Sequence, residues 1–361
     1  MQIAFKSRHQ TAPYGEEKSR ASLALSQLVL LQSRRRWGIM YMLATVSGLF
    51  VPIAGVFPSI EDHGVNSFLT TLLLKSAPLF AATFLIITGM YVLNDLVDAD
   101  LDKSSGKKRP ISSGQVTKAQ AHIFVIATNT AGIVLALITF NLPSIIIAMA
   151  IVGIGLMYSL PKICLKDRFV LKTASIAAAS MLCLMLGSSY AFNNSGMIHT
   201  NNNNNYNNNY NNNYNNNNYN YIGDALSSPI LICTYAALMS GSIIFITSLL
   251  NDLGDVEGDK AFGRRTIPVV IGKKNTVILT IIIAAAMIVI SWVSFYMLPT
   301  NIGLICPILV SLVASMATIR MAEILNHLSD HEFIRKQHKK SMSWHLMLQS
   351  ALIVGALLFW V

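Results

Sequence analysis

Two nine-residue stretches hold the residues best suited to chemistry in this chain. Asn94-Asp95-Leu96-Val97-Asp98-Ala99-Asp100-Leu101-Asp102 and Asn251-Asp252-Leu253-Gly254-Asp255-Val256-Glu257-Gly258-Asp259 both read N-D-L-x-D-x-x-x-D. Each runs into a basic tail, Lys107-Lys108-Arg109 after the first and Arg264-Arg265 after the second. Together they contain eight of the 17 acidic residues. A helix advances about 100° per residue, so Asp95, Asp98 and Asp102 fall within an arc of about 60°. Asp252, Asp255 and Asp259 share that spacing, whereas Asp100 and Glu257 fall off the two faces. Two such helix ends facing each other make a cage of carboxylates, which repel unless cations sit among them.

Oxygen-only ligands suit Mg2+ better than zinc, and Mg2+ is commonly shared with substrate phosphates. The expected metal ligands are Asp95, Asp98, Asp102, Asp252, Asp255 and Asp259, with Asn94 and Asn251 as neutral oxygen ligands or orienting groups. Lys107, Lys108, Arg109, Arg264 and Arg265 follow them, and Lys166 and Arg168 lie on a third polar segment. Acid-held metal beside basic side chains makes a diphosphate site. These basic residues also serve as topology signals, and at least one per motif is expected on the diphosphate. A solvated acidic helix face would account for one such motif, but hardly for two matched copies with matched tails. A calcium-binding EF-hand loop does not fit, because Lys103 stands where the loop needs Gly and Arg109 where it needs Glu.

The elements that must position these residues are membrane helices. The chain has 361 residues, of which 53% are hydrophobic and only 12% charged, far below the roughly 25% charged of a soluble protein. Apolar runs long enough to span a bilayer fall at about 37–57, 71–93, 120–140, 142–160, 170–192, 228–250, 276–298, 302–320 and 343–361. The expected fold is therefore an all-α membrane protein with nine transmembrane helices. Asn141-Leu142-Pro143 suits a tight turn between the third and fourth, and Pro307 is placed to kink the eighth. With nine spans, 26 of the 27 Lys and Arg residues fall on one side, and Lys75 on the other. The positive-inside rule puts the N-terminus and both acidic motifs in the cytoplasm. The net charge of +10 is thus topology signal and attraction to anionic lipid or diphosphate, with no nucleic-acid partner implied.

Residues 1–36 form a basic cytoplasmic segment, in which Leu23 to Leu31 reads either as a short amphipathic helix or as part of a disordered leader. Residues 37–361 form the nine-helix domain. Within it, 193–221 is an Asn/Tyr-rich insert without apolar period, expected as a disordered external loop, and it carries the sequon Asn193-Asn194-Ser195. Cys164, Cys183, Cys233 and Cys306 show no C-x-x-C spacing and are expected to pack as small apolar residues. His331, His338 and His345 show no metal-ligand spacing and are expected at the interface.

These motifs resemble the paired signatures of the UbiA-type intramembrane prenyltransferases. Further matches are Arg109-Pro110-Ile111 with Ser113-Gly114, Tyr158-Ser159 with Leu165-Lys166, and Asp255 to Asp259 with Gly263, Thr266, Ile267 and Pro268. One departure is Arg36-Trp37-Gly38-Ile39, where many members carry Arg-Pro-x-Asn. The resemblance implies helices around a central cavity with a cytoplasmic cap, two Mg2+ ions and a polyprenyl diphosphate donor in the bilayer. The physics of the reaction agrees: ionising an allylic diphosphate requires a neutralised leaving group and a dry pocket with electron-rich walls. Tyr158 or Tyr91 could supply such a wall, although both also suit an interfacial belt, the preferred reading for Tyr91.

For the lipophilic acceptor, the second motif followed by G-x-x-T-I-P is similar to branches that make archaeal-type ether lipids or that prenylate homogentisate or chlorophyllide. The expected reaction is transfer of geranylgeranyl to geranylgeranylglyceryl phosphate. An aromatic acceptor on a quinone pathway is the alternative within the class. A cation-coupled transporter or a diphosphate-lipid binder is the alternative outside it.

Overall fold

The computed structural model describes the backbone of residues 13–52, 65–104, 106–206, 218–297 and 303–358, and the side chains of 22–52, 70–104, 106–193, 230–297 and 303–358. Among these residues the chain is all helical. Its elements are α1 (Pro13–Phe50), α2 (Val65–Val97), α3 (Ala99–Ser104), α4 (Lys118–Ile138), α5 (Leu142–Ser159), a 3-10 turn (Leu165–Asp167), α6 (Phe169–Tyr206), α7 (Asn218–Ala261), α8 (Ile267–Ile271), α9 (Lys273–Met297), α10 (Ile305–Leu325) and α11 (His331–Leu357). The centre of the Asn/Tyr-rich insert, 207–217, and the side chains of its sequon at 194 and 195 lie outside the described residues.

Local chemistry sets the helix ends. Thr117 and Gln120 form a reciprocal capping box at the start of α4. Asn141 caps α5 by accepting from Ser144 N, with Pro143 in the first turn, as the tight turn requires. Asp330 caps α11 by accepting from Phe333 N at 2.9 Å. Pro307 sits in the first turn of α10, where its missing N–H costs no helical hydrogen bond, so the expected kink has no cause there. The Leu23–Leu31 segment belongs to α1, which is continuous from Pro13.

Among the described residues seven helices are long and apolar enough to cross a membrane: α2, α4, α5, α6, α7, α9 and α10. The other two long helices, α1 and α11, open with basic, polar halves. Neighbouring helices form a closed ring in the order α1, α2, α4, α5, α6, α7, α9, α10, α11 and back to α1. Large apolar side chains such as Ile126, Ile146, Val289 and Ile319 stay exposed on the outside of α4, α5, α9 and α10, as a lipid-facing surface requires.

Within lipid, helices are held by close approach and by buried polar contacts. A Cβ added at Gly187 would lie 2.0 Å from the Thr45 carbonyl oxygen, so α1 and α6 meet backbone to backbone there. Gln349 on α11 donates to Ser240 on α7 at 2.8 Å and accepts from Ser47 on α1, and Ser240 also meets Ser180 on α6 at 2.8 Å. Cys183, Cys233 and Cys306 are buried and unpaired, as expected of packing residues.

Candidate active site

The two acidic motifs reach the site differently. The first straddles a break: α2 stops at Val97 and α3 starts at Ala99. Helical hydrogen bonds cross that break, from Asp98 N to Asn94 O at 3.0 Å and from Asp102 N to Asp98 O at 2.8 Å. The helical phase is therefore kept, and Asp95, Asp98 and Asp102 are all buried. The second motif lies inside α7, with Asp252 and Asp259 buried and Asp255 partly so. Asp100 is exposed on Lys118 and Glu257 on Lys273, off the site as their helical angles require.

Each buried carboxylate is matched by a basic side chain from elsewhere in the chain. Arg34 of α1 grips Asp95 through two nitrogens, Nε to Oδ2 at 2.6 Å and Nη2 to Oδ1. Arg109 reaches Asp95 at 2.7 Å and Asp102 at 2.8 Å. Lys166 donates to Asp98 at 2.8 Å and to Asn94 at 3.4 Å. Arg264 crosses from the second motif to Asp98 at 3.1 Å and is held in turn by Asp167 at 3.1 Å. Lys172, on the first turn of α6, donates to Asp252 at 2.7 Å and lies 3.7 Å from Asp259. Lys107 and Arg335 share Asp255 at 3.5 and 3.4 Å.

Arg34, Lys172, Asp167 and Arg335 went unrecognised as site residues in the sequence. Arg34 sits in an Arg-Arg-Arg run that topology alone explains. Lys172 left a usable signal, a lone basic residue inside an otherwise apolar run. Of the basic residues expected at the site, Lys107, Arg109, Lys166 and Arg264 are there. Lys108, Arg168 and Arg265 are exposed and line none of the three cavities described below.

Among the described residues no three His, Cys, Asp or Glu side chains converge tightly enough to hold a metal on their own. Ion pairing has drawn the carboxylates toward the cations instead. Even so, Asp252 Oδ2 and Asp259 Oδ2 are buried and accept no hydrogen bond, a costly state for carboxylate oxygens. Asp259 shares one polar cavity with Asp98, Asp102 and Asp255, while Asp252 is buried behind it and lines none of the cavities, and hard oxygen donors gathered on one cavity fit Mg2+. Burial pushes the Asp102 carboxyl above its usual range, outweighing the pull of Arg109.

Three cavities adjoin along the site. The first is polar, about 330 Å³, and is walled by Asp98, Asp102, Lys107, Arg109, Asp255, Asp259, Arg264 and Arg335. The second shares Arg109 with it and is lined by Arg34, Trp37, Tyr91, Asn94, Tyr158, Asn251 and His338, among others. The third is apolar, runs between α1, α2, α5 and α6, and shares Tyr91, Asn94, Tyr158 and Ile176 with the second. Tyr158 thus stands where the polar and apolar spaces meet. So does Tyr91, stacked on Trp37 with ring centroids 4.8 Å apart, and its interfacial-belt reading is set aside. His345 is not interfacial either: it is fully buried and bonded to the Met40 carbonyl at 3.1 Å.

This helical architecture is that of an intramembrane enzyme fold already known from solved structures. A UbiA homologue from Aeropyrum pernix K1, in its apo form, superposes with a TM-score of 0.60 at 16% identity over 88% of this chain and 98% of that one. A UbiA homologue from Archaeoglobus fulgidus bound to GPP and Mg2+ gives 0.55 at 15% identity over 91% and 99%. The UbiA prenyltransferase family pattern matches residues 50–346, and the chain belongs to that family. Among its relatives, the digeranylgeranylglyceryl phosphate synthase of Methanothrix thermoacetophila is 22% identical over 241 residues, 67% of this chain and 74% of that protein.

Proposed function

We propose that this prenyltransferase moves a geranylgeranyl group from its diphosphate to geranylgeranylglyceryl phosphate, in a Mg2+-dependent step of ether-lipid synthesis. The carrying observation is the adjacency of the three cavities: a polar space walled by both acidic motifs shares Arg109 with a middle one, which shares Tyr158 and Asn94 with an apolar one. An amphipathic diphosphate has that shape and polarity. The acceptor assignment rests on relatives named digeranylgeranylglyceryl phosphate synthase.

On this reading α1 and α11 complete nine spans, and the basic asymmetry puts the site on the cytoplasmic side of the cell membrane. Asp95, Asp98, Asp102, Asp252, Asp255 and Asp259, with Asn94 and Asn251, would hold two Mg2+ ions. Bound there, Mg2+ neutralises the diphosphate and makes it a better leaving group. Lys107, Arg109, Lys166 and Arg264 bind phosphate oxygens and offset charge developing on them as the allylic C–O bond breaks. The prenyl tail lies in the apolar cavity, which excludes water from the reacting carbon. Tyr158, Tyr91 and Trp37 present ring faces or edges near the cationic carbon, and an aromatic face can stabilise it.

The test uses purified protein in nanodiscs with geranylgeranyl diphosphate, Mg2+ and a panel of acceptors: geranylgeranylglyceryl phosphate, homogentisate, 1,4-dihydroxy-2-naphthoate and 4-hydroxybenzoate. Mass spectrometry should find one adduct, on the glyceryl phosphate, lost with EDTA and in Asp95→Ala. An adduct on an aromatic acceptor instead would refute the assignment.

A further inference from the structure

We propose that His338 of α11 binds the attacking hydroxyl of the acceptor and takes its proton, an assignment that rests on the transfer reaction above. The middle cavity has two sides. The side facing α2, α5 and α6 is continuous with the apolar cavity that takes the donor tail. The opposite wall is built by α7 and α11, from Ile244, Thr247, Asn251, His338 and Met342, and the donor's prenyl tail, placed in the apolar cavity, leaves it free.

That wall is graded. Asn251, Thr247 and Ile244 succeed one another about a turn apart on α7, and His338 and Met342 are a turn apart on α11. On both helices the polar residue is the one nearer the acidic motif, and the apolar residue lies a turn or two further away. The lobe therefore suits a guest with a hydroxylated head and an apolar tail, its hydroxyl brought beside the reacting carbon.

Few groups in the lobe can accept a proton. Arg34 and Arg109 are cations held by Asp95. The Thr247 hydroxyl is spent on the Ile244 carbonyl at 3.0 Å. Asn251 is an amide. His338 differs: one ring nitrogen donates to the Thr247 backbone carbonyl, and Nδ1, buried, has no hydrogen-bond partner among the described residues, so Nε2 carries the proton and Nδ1 keeps a lone pair that can accept one. Burial pushes its pKa below the usual histidine range, against the pull of Asp255, so the ring stands neutral near pH 7. The charged groups around it are Arg34 from α1, Arg109 from the α3–α4 loop, Asp255 from α7 and Arg335 on its own helix.

The step balances. The allylic C1–O bond breaks and its electron pair leaves with the diphosphate. An acceptor oxygen lone pair forms the new O–C1 bond. The hydroxyl proton passes to His338 and from there to water.

The experiment follows adduct formation and diphosphate release separately, in full-length protein in nanodiscs with geranylgeranyl diphosphate, geranylgeranylglyceryl phosphate and Mg2+. His338→Gln and His338→Ala should lower the adduct kcat by about 10²-fold, the lower end of general-base effects, with donor KM within about twofold. Diphosphate release should fall in step with adduct formation, since water is kept from the reacting carbon, and added imidazole should restore part of the His338→Ala rate. Met342→Trp, which fills the apolar end of the lobe, should raise acceptor KM and leave donor KM unchanged. Adduct formation near the wild-type rate in His338→Gln would overturn the assignment, as would a rise in donor KM in Met342→Trp. Absence of adduct already in the wild type would overturn the transfer reaction and this assignment with it.

Discussion

Lys172→Met tests the electrostatics of the site most directly. Lys172 and Asp252 are both buried and joined at 2.7 Å, and Asp259 lies within 3.7 Å of the same ammonium. Methionine keeps much of the length and packing of the side chain but removes the charge, leaving two buried carboxylates without their cation. Breaking a buried ion pair by removing one partner costs about 3–5 kcal/mol. Protonation of one carboxyl sets an upper limit on that loss. At about 2–4 °C per kcal/mol, the metal-free protein should melt roughly 6–20 °C lower than the wild type. Mg2+ should then do more for the variant than for the wild type, because it no longer competes with an ammonium for Asp252 and Asp259. The assay is thermal unfolding in detergent across a Mg2+ titration, with EDTA as the reference. If Lys172→Met melts within about 2 °C of the wild type in EDTA, and the two respond equally to Mg2+, Lys172 does not compensate the pair and the argument is wrong.

Three further outcomes are expected. Arg264→Gln, which loses the contacts to Asp98 and Asp167, should lower kcat/KM by about 10²-fold, whereas Arg265→Gln, at an exposed position, should stay within about twofold in the same adduct assay. A Cβ at Gly155 would lie 2.5 Å from Met90 Cγ and Sδ, so Gly155→Val should crowd the apolar cavity and raise KM for geranylgeranyl diphosphate about tenfold more than for geranyl diphosphate, measured by steady-state kinetics. Asp102 holds its proton more tightly folded than unfolded, so in EDTA its contribution to stability is present at low pH and lost as pH rises through the raised value. The melting temperature in EDTA should therefore rise as pH falls toward the usual carboxylate range, and Asp102→Asn should flatten part of that rise.

The carboxylate faces were legible because helical phase is a local property. A 100° step placed Asp95, Asp98 and Asp102 together, and the hydrogen bonds across the break after Val97 preserved it. The apolar runs were legible for the same reason, since burial in lipid leaves a mark along the chain. What the cations grip was not legible, because it depends on which helices become neighbours. Lys172 meets a residue 80 positions away and Arg34 one 61 away, and nothing near either residue in sequence records the partner. The role of Tyr91 was misjudged because belt tyrosines and cavity tyrosines look identical from one helix. The aromatic neighbours that α1 delivers, Trp37 and Tyr41, tell them apart.

The ion pairs across the site carry one further consequence. Among the described residues seven carboxylates, Asp95, Asp98, Asp102, Asp167, Asp252, Asp255 and Asp259, are matched by seven cations, Arg34, Lys107, Arg109, Lys166, Lys172, Arg264 and Arg335. The site is electrically neutral before any ligand enters, and every charge in it has an internal partner. Mg2+ arriving alone must take carboxylates from their cations, and diphosphate arriving alone must take cations from their carboxylates. Arriving together, each accepts the groups the other releases. Loading is thus an exchange of partners, in which each ligand lowers the cost of admitting the other. By thermodynamic reciprocity the gain in diphosphate affinity caused by Mg2+ equals the gain in Mg2+ affinity caused by diphosphate. On the proposed function, such a site would bind Mg2+ and diphosphate more readily together than either alone.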